Sequence, residues 1–293
     1  MPWVVGCWAG MSGGIQADEP ASTVFGWPVY SDVGVSYTPV FSGGSYVAAL
    51  PIANVQDARL AKVARSSDAL TTSTTFDIDL GATRAVGVLA ILIPNLTKSA
   101  VPTIRWLVST VSNFATTVYD SGAVQAWPSG ADAENTDGLN VWHSTIPTAT
   151  QSGRYVRGTV TDTANTDGYL DMARVIVAGA YRPGTGLSYG AKVTLESATT
   201  ATDTDGGATL FNERRVRRTW DFTLNNVAES EAYASPWKMQ RLLGTSRQLF
   251  FVLDENSTRR YEDSFLCTLR ELSGLDFAYA QRNSVPFRLR EVL

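Results

Sequence analysis

Few side chains in this 293-residue sequence have a type and spacing suited to chemistry. His143 is the single histidine, so no His cluster can hold zinc. A Ser-His-Asp relay would have to use this one residue, and no Gly-x-Ser-x-Gly elbow stands near it; Trp142-His143 reads as a pair of strand residues. Asp77 and Asp79 have the look of a glycosidase carboxylate pair. At i and i+2 of a strand, however, they share the face opposite the apolar one and are expected in solvent. Asp203-Thr-Asp-Gly206 offers two carboxylates to calcium but lacks the later acidic ligand of a complete loop. Its near-repeats Asn135-Thr-Asp-Gly138 and Asn165-Thr-Asp-Gly168 point to turns, because Asp-Gly supplies the positive φ that a tight turn needs. Cys7 and Cys267 are the only cysteines, too few for a disulfide framework and without metal-ligand spacing; both are expected reduced. The inventory predicts a protein that is not an enzyme, with no cofactor and no metal.

What remains are residues suited to contact. Arg214, Arg215, Arg217 and Arg218 form the one basic cluster, open to three readings: a contact with an acidic neighbour, a solvated strand edge protected by charge, or a lining past which DNA runs. Trp127 and Trp142, with the polar loop 129–140 between them, are the candidates for a carbohydrate. Trp3, Trp8 and Trp27 belong to an aromatic-rich opening stretch without helical period, expected to lie on another subunit, since uncovered it would expose an apolar patch.

Composition narrows the class. The formal net charge is -4, which argues against specific nucleic-acid binding. Charged residues make up 18%, below the roughly 25% of ordinary soluble domains, as suits a surface covered by neighbours. The opening ten residues lack a basic segment and are too short to cross a bilayer, so neither a signal peptide nor membrane insertion is expected.

The positioning elements are read as strands. Phe76, Ile78 and Leu80 alternate with Thr75, Asp77 and Asp79, the period of a strand with one wet face, and Gly81 is expected to end it. Val86 to Ile93 is apolar almost throughout and should be covered on both faces. Thr103–Ser109 follows, and further strands near 141–144, 155–161 and 170–178 bring the count to about seven or eight, the spacing of a sandwich or jelly roll. A short helical turn is expected near Val55 to Val63. Tyr181-Arg-Pro-Gly-Thr-Gly186 reads as a linker. Beyond it, strands at 191–195, 216–224, 248–253, 261–272 and 285–292 surround a helix within 227–243. That helix either begins near Ser235 or is longer and kinked at Pro236. The expected parts are therefore an arm (residues 1–50), a β-sandwich (50–182) and a small antiparallel sheet or split barrel with one packed helix (187–293).

Asn54-Val, Ala64-Arg-Ser, Thr75-Phe-Asp-Ile-Asp-Leu-Gly81, Ala90-Ile-Leu-Ile-Pro-Asn-Leu-Thr97 and Thr103-Ile-Arg-Trp-Leu-Val-Ser109 resemble the galactose-binding-like jelly rolls of tailed-bacteriophage virion proteins. Arg217-Arg-Thr-Trp-Asp-Phe-Thr-Leu224, Glu231-Ala-Tyr233, Phe250-Phe-Val-Leu-Asp254 and Phe287-Arg-Leu-Arg-Glu-Val292 resemble the tail-tube-like domain of phage tail and distal-tail proteins, with the two parts in the reverse of the usual order. The resemblance implies a structural virion protein of a tail tip or baseplate, assembled in the host cytoplasm. Its partners would be copies of itself, in a homo-oligomeric ring of six or three around the channel, and other tail proteins. The alternative it implies is a host-adhesion module that binds a surface glycan.

Overall fold

The computed structural model describes residues 23–32, 38–98, 102–126, 140–188, 190–257 and 260–293. In chain order the strands of the first part are β1 (Val24–Val29), β2 (Val40–Ser42), β3 (Ala64–Arg65), β4 (Thr75–Val86), β5 (Val88–Leu92), β6 (Thr103–Ser109), β7 (Thr117–Asp120), β8 (Val124–Gln125), β9 (Trp142–Thr145), β10 (Gln151–Thr161), β11 (Asp171–Met172) and β12 (Arg174–Tyr181). The second part holds β13 (Lys192–Glu196), β14 (Thr200–Asp203), β15 (Thr209–Asn212), β16 (Arg217–Ala228), β17 (Gln248–Val252), β18 (Ser264–Leu269), β19 (Asp276–Tyr279) and β20 (Arg282–Glu291). The protein is mainly β, and every strand pair among the described residues is antiparallel.

A six-stranded sheet, β2-β4-β10-β6-β7 with β8 beside β6, faces part of a ten-stranded sheet, β13-β16-β20-β18-β17-β1-β12-β5-β9 with β19 beside β20. The alternation in β4 does what its residues dictate. Phe76, Ile78 and Leu80 are buried between the sheets with Trp106, Val156 and Val175, while Asp77 and Asp79 face outward and take the guanidinium forks of Arg157 and Arg154 at 2.6–2.8 Å. Gly81 does not end the strand. At φ 73° it donates its N–H to Asp79 Oδ1 at 2.7 Å, and β4 runs on to Val86 across a register shift opposite Gly153 and Tyr155.

All five residues of β5 are buried, as the apolar run requires. Leu89 and Ile91 join the sandwich core, and Val88, Ala90 and Leu92 join another on the opposite face with Trp142, Ile176, Phe250 and Leu266. This second face is closed because the sheet curls: Trp142 of β9 meets Phe250 of β17 edge to face at 5.3 Å, although three strands separate them in the sheet. The third core gathers Phe222, Leu224, Phe251, Phe265 and Phe287 under the helix residues Ala232, Met239 and Leu243. That helix is the longer, kinked form. It runs from Glu229 to Leu243 with a π turn at Tyr233–Trp237 around Pro236, which accommodates the missing N–H and the ring. Gly244, at φ 55°, follows it with its N–H on Gln240 O at 2.9 Å.

The expectation of an arm over residues 1–50 lying on a neighbour is corrected for its described portion. β1 is an interior strand, paired with β12 of the sandwich on one side and β17 of the second part on the other. Phe25 is fully buried among Tyr181, Phe222, Phe251 and Phe287, with ring centroids 5.4–6.0 Å away. Trp27, half-buried, packs on the same core. Trp3, Trp8 and Cys7 lie outside the described residues. Arg174, 1% exposed, ties the junction further by donating to Asp32 at 2.5 Å and to Gln248 Oε1 at 3.3 Å. The stretch read as a linker is also held: Tyr181 Oη and Gly184 N–H both donate to Glu231 Oε1, at 2.8 and 2.9 Å. The expected helical turn is a 3-10 turn at Ile52–Gln56. The strand expected over 261–272 begins as one helical turn, Arg260–Asp263, before β18.

Candidate functional site

Two regions stand apart from the packed sheets. The first is a cavity of about 220 Å³ at the open side of the sandwich. Ile104 and Trp106 of β6, Gln125 of β8, and His143, Ser144 and Thr145 of β9 form its sandwich walls. Trp142 also lines it, and Ser257, Arg260 and Tyr261 close it from the second part. Trp142 is 2% exposed, since the curl of the sheet presses it on Phe250. It is therefore a wall of the cavity and not the exposed platform that its pairing with Trp127 suggested; Trp127 and most of the loop 129–140 lie outside the described residues. Burial pushes the His143 imidazole down to about 4, against a backbone hydrogen bond at Ala126 that favours its charge, so it is neutral at pH 7. Arg260 keeps a guanidinium here with one hydrogen bond, to Glu255 O at 3.0 Å. Burial lowers its pKa, although Glu255, Asp254 and Tyr119 act in the other direction. Glu255 itself is engaged by Arg182 at 2.9 Å.

The second region is the ribbon around the basic cluster. β13 is the end strand of the large sheet, and β14 and β15 form a separate two-stranded hairpin whose eight residues are all exposed. Leu195, Leu210 and Phe211 are 68%, 60% and 64% exposed, and Val193 and Val216 are exposed beside them. The Asp203-Thr-Asp-Gly206 segment is the hairpin's turn, with Gly207 at φ 81°, and Asp203 Oδ1 accepts from Thr209 Oγ1 at 2.7 Å. Among the described residues no group of three or more His, Cys, Asp or Glu side chains is placed to hold a metal ion.

The four arginines do not act together. Arg214 is exposed, and its backbone is tied to Thr199 Oγ1. Arg215 is exposed and donates to Asn140 Oδ1 at 3.5 Å. Arg217 begins β16, half-buried. Arg218 turns inward, grips Glu291 through Nε and Nη2 at 3.0 and 2.6 Å, donates to Glu262 O and lies 4.8 Å over the Phe265 ring. As a subunit contact Arg218 is therefore corrected: it is a core residue. Cys267 is buried too, its thiol pushed up by the burial.

Arg260 and Tyr261 were not singled out by sequence, and of the hairpin only its Asp203-Thr-Asp-Gly206 turn was. The hairpin's Thr-Ala-Thr-Asp and Thr-Leu-Phe-Asn carry no alternation, since neither face is buried. Arg260 reaches the cavity only through the tertiary fold, more than a hundred residues from its wall partners on β9. No helix among the described residues is long and apolar enough to cross a membrane.

No family model matches the sequence, and no curated protein matches it either. Among solved structures, the family 32 carbohydrate-binding module of Clostridium perfringens NanJ, solved with galactose, matches 47% of this chain over 92% of its own length, at 15% identity and a TM-score of 0.35. A similar module of AlyQ, in complex with 4,5-unsaturated mannuronic acid, covers 47% and 92% at 16% identity and a TM-score of 0.34. A fucose-binding module of Streptococcus pneumoniae covers 49% and 91% at 16% identity and a TM-score of 0.33. These three are carbohydrate-binding modules, and none is a virion protein. At such TM-scores they do not decide what this chain binds.

Proposed function

We propose that this chain is a non-catalytic structural protein that assembles with copies of itself through its second part, as a ring-forming component of a bacteriophage tail tip or baseplate. The observation that carries self-assembly is the ribbon of β13, β14 and β15. An isolated two-stranded hairpin is marginal in water, and an end strand with free N–H and C=O groups invites pairing. Here both coincide with exposed Leu195, Leu210 and Phe211. The tail-tip placement, the virion location and a ring of six or three rest on the sequence resemblance. The test is sedimentation velocity with electron microscopy on wild-type protein and on Leu210→Lys/Phe211→Lys. Assemblies in the wild type that the double variant loses, with its melting temperature retained, are expected. A wild type that stays monomeric at hundreds of micromolar would refute the reading.

A second reading, carbohydrate binding by the sandwich, is favoured by the cavity, where Trp106, Trp142 and Tyr261 share a wall with hydroxyls and one guanidinium. Apolar lining with a few convergent polar groups is the usual make-up of a small-molecule site. Titration of the whole protein with simple sugars, followed through tryptophan fluorescence, tests it; a flat response to neutral and acidic sugars alike would remove it.

A further inference from the structure

We infer that the cavity between β6, β8, β9 and the segment around Arg260 takes a compact ring bearing a carboxylate, that is, an acidic monosaccharide, with the Arg260 guanidinium as its anchor. The inference deepens the carbohydrate reading of this same site and rests on it.

Three observations converge. The volume, about 220 Å³, is far above what one water needs and below the roughly 300–1,000 Å³ of sites for drug-sized ligands, as suits one sugar ring. The walls divide by chemistry. Tyr261, half-buried, gives aromatic surface for the apolar side of a ring, with Trp106 and Trp142 themselves buried, while Gln125, Ser144 and Thr145 bring an amide and two hydroxyls for its hydroxyl groups. The charge is one-sided: among the described residues the lining holds Arg260 and no carboxylate, and His143 is neutral. A guanidinium has five N–H donors. Among the described residues Arg260 uses one, on Glu255 O, and no carboxylate lies in ion-pair range of it. A planar fork left half-buried and unpaired is suited to a carboxylate, which accepts two parallel N–H bonds.

The experiment is calorimetric titration of the full chain at fixed ionic strength with sodium D-galacturonate, D-galactose and sodium sulfate, repeated on Arg260→Gln and Arg260→Lys. Galacturonate is expected to bind at least about tenfold more tightly than galactose, and Arg260→Gln to abolish that preference. Arg260→Lys should keep part of it, as a point charge without the fork. Both variants should melt with the wild type, because Arg260 makes one hydrogen bond; a variant that unfolds is replaced by Thr145→Val, which should weaken galacturonate binding without loss of its preference over galactose. Galactose binding equal to galacturonate and indifferent to Arg260→Gln would overturn the inference while leaving carbohydrate binding in place. Binding of neither would overturn both. Sulfate displacing galacturonate at equal concentration would reduce the site to general anion attraction and also overturn it.

Discussion

Replacing Phe25 by alanine tests the claim that a strand at the start of the described chain holds its two parts together. Phe25 is fully buried, and four aromatic rings surround it at 5.4–6.0 Å. Truncating a buried Phe costs about 3–5 kcal/mol, and aromatic pairs add about 0.5–1.5 kcal/mol each beyond their area. Since β1 hydrogen-bonds on both sides, the backbone cannot collapse into the space, which places the cost near 5 kcal/mol, the top of the range. At roughly 2–4 °C per kcal/mol for a chain of this size, the melting temperature should fall by about 10–20 °C. The transition should stay single, because both cores share the strand. Phe25→Leu, which keeps most of the volume, should cost under about 1.5 kcal/mol. Urea denaturation followed by near-ultraviolet circular dichroism measures both. A loss below about 1 kcal/mol for Phe25→Ala, or a melt in which only one half moves, would refute the account of β1.

Arg218→Met should cost about 3–5 kcal/mol, because it leaves the Glu291 carboxylate, 2% exposed, buried and uncompensated. Adding Glu291→Leu should recover much of the loss, and a double-mutant cycle in urea that shows additive losses would contradict this. Gly158→Ala should destabilise by about 1–3 kcal/mol, since its Cβ would lie 2.4 Å from Phe76 Cζ and Trp106 holds that ring edge-on at 5.8 Å; an unchanged melting temperature would show that the sheet yields there. The Arg154 fork holds the Asp79 carboxyl below its usual range. The pair therefore stabilises the fold above the unfolded carboxylate value near 4, and the gain is lost as pH falls through the lower folded value. The stability gap between wild type and Asp79→Asn should shrink on acidification below about pH 4, and a gap that widens would reverse the sign.

Local patterns were legible wherever one covering layer decides them. The alternation from Phe76 to Leu80 and the apolar run to Leu92 named a half-buried strand and a doubly covered one, because each residue's environment repeats every second position. Pro236 left two forms open, a helix beginning near Ser235 or a longer kinked one, and only packing on the third core selects the longer. β1 was not legible. Val24-Phe-Gly-Trp-Pro-Val29 sits among glycines and serines, and its partners lie about 150 and 220 residues away in sequence, so nothing near it states that it is interior. Gly81 misled in the other direction: a positive φ usually closes a strand, yet here the Asp79 side chain satisfies the glycine N–H and the strand continues. In the basic cluster, alternation separates Arg214 and Arg218 from Arg215 and Arg217 but does not say which face is inside. The inward turn of Arg218 depends on Glu291, two residues from the far end of the chain, and only the pairing of β16 with β20 brings the two together.

The continuous sheet also bears on how assembly and ligand binding coexist. The cavity lies at its β9 end and the exposed ribbon at its β13 end, with seven strands between them. Because the curl that presses Trp142 on Phe250 is set by strands β9 to β17, it does not involve β13, β14 or β15. The curl nevertheless brings the two ends near each other: Arg218, paired with Leu195 of β13, donates to Glu262 O, two residues from Arg260, and Arg215 reaches Asn140 just before β9. Several weak sites held on one rigid assembly bind a repeated glycan surface far more tightly than one site alone. Were the proposed assembly and the proposed sugar site both to hold, affinity for such a surface would come from the number of copies and selectivity from the one guanidinium in each.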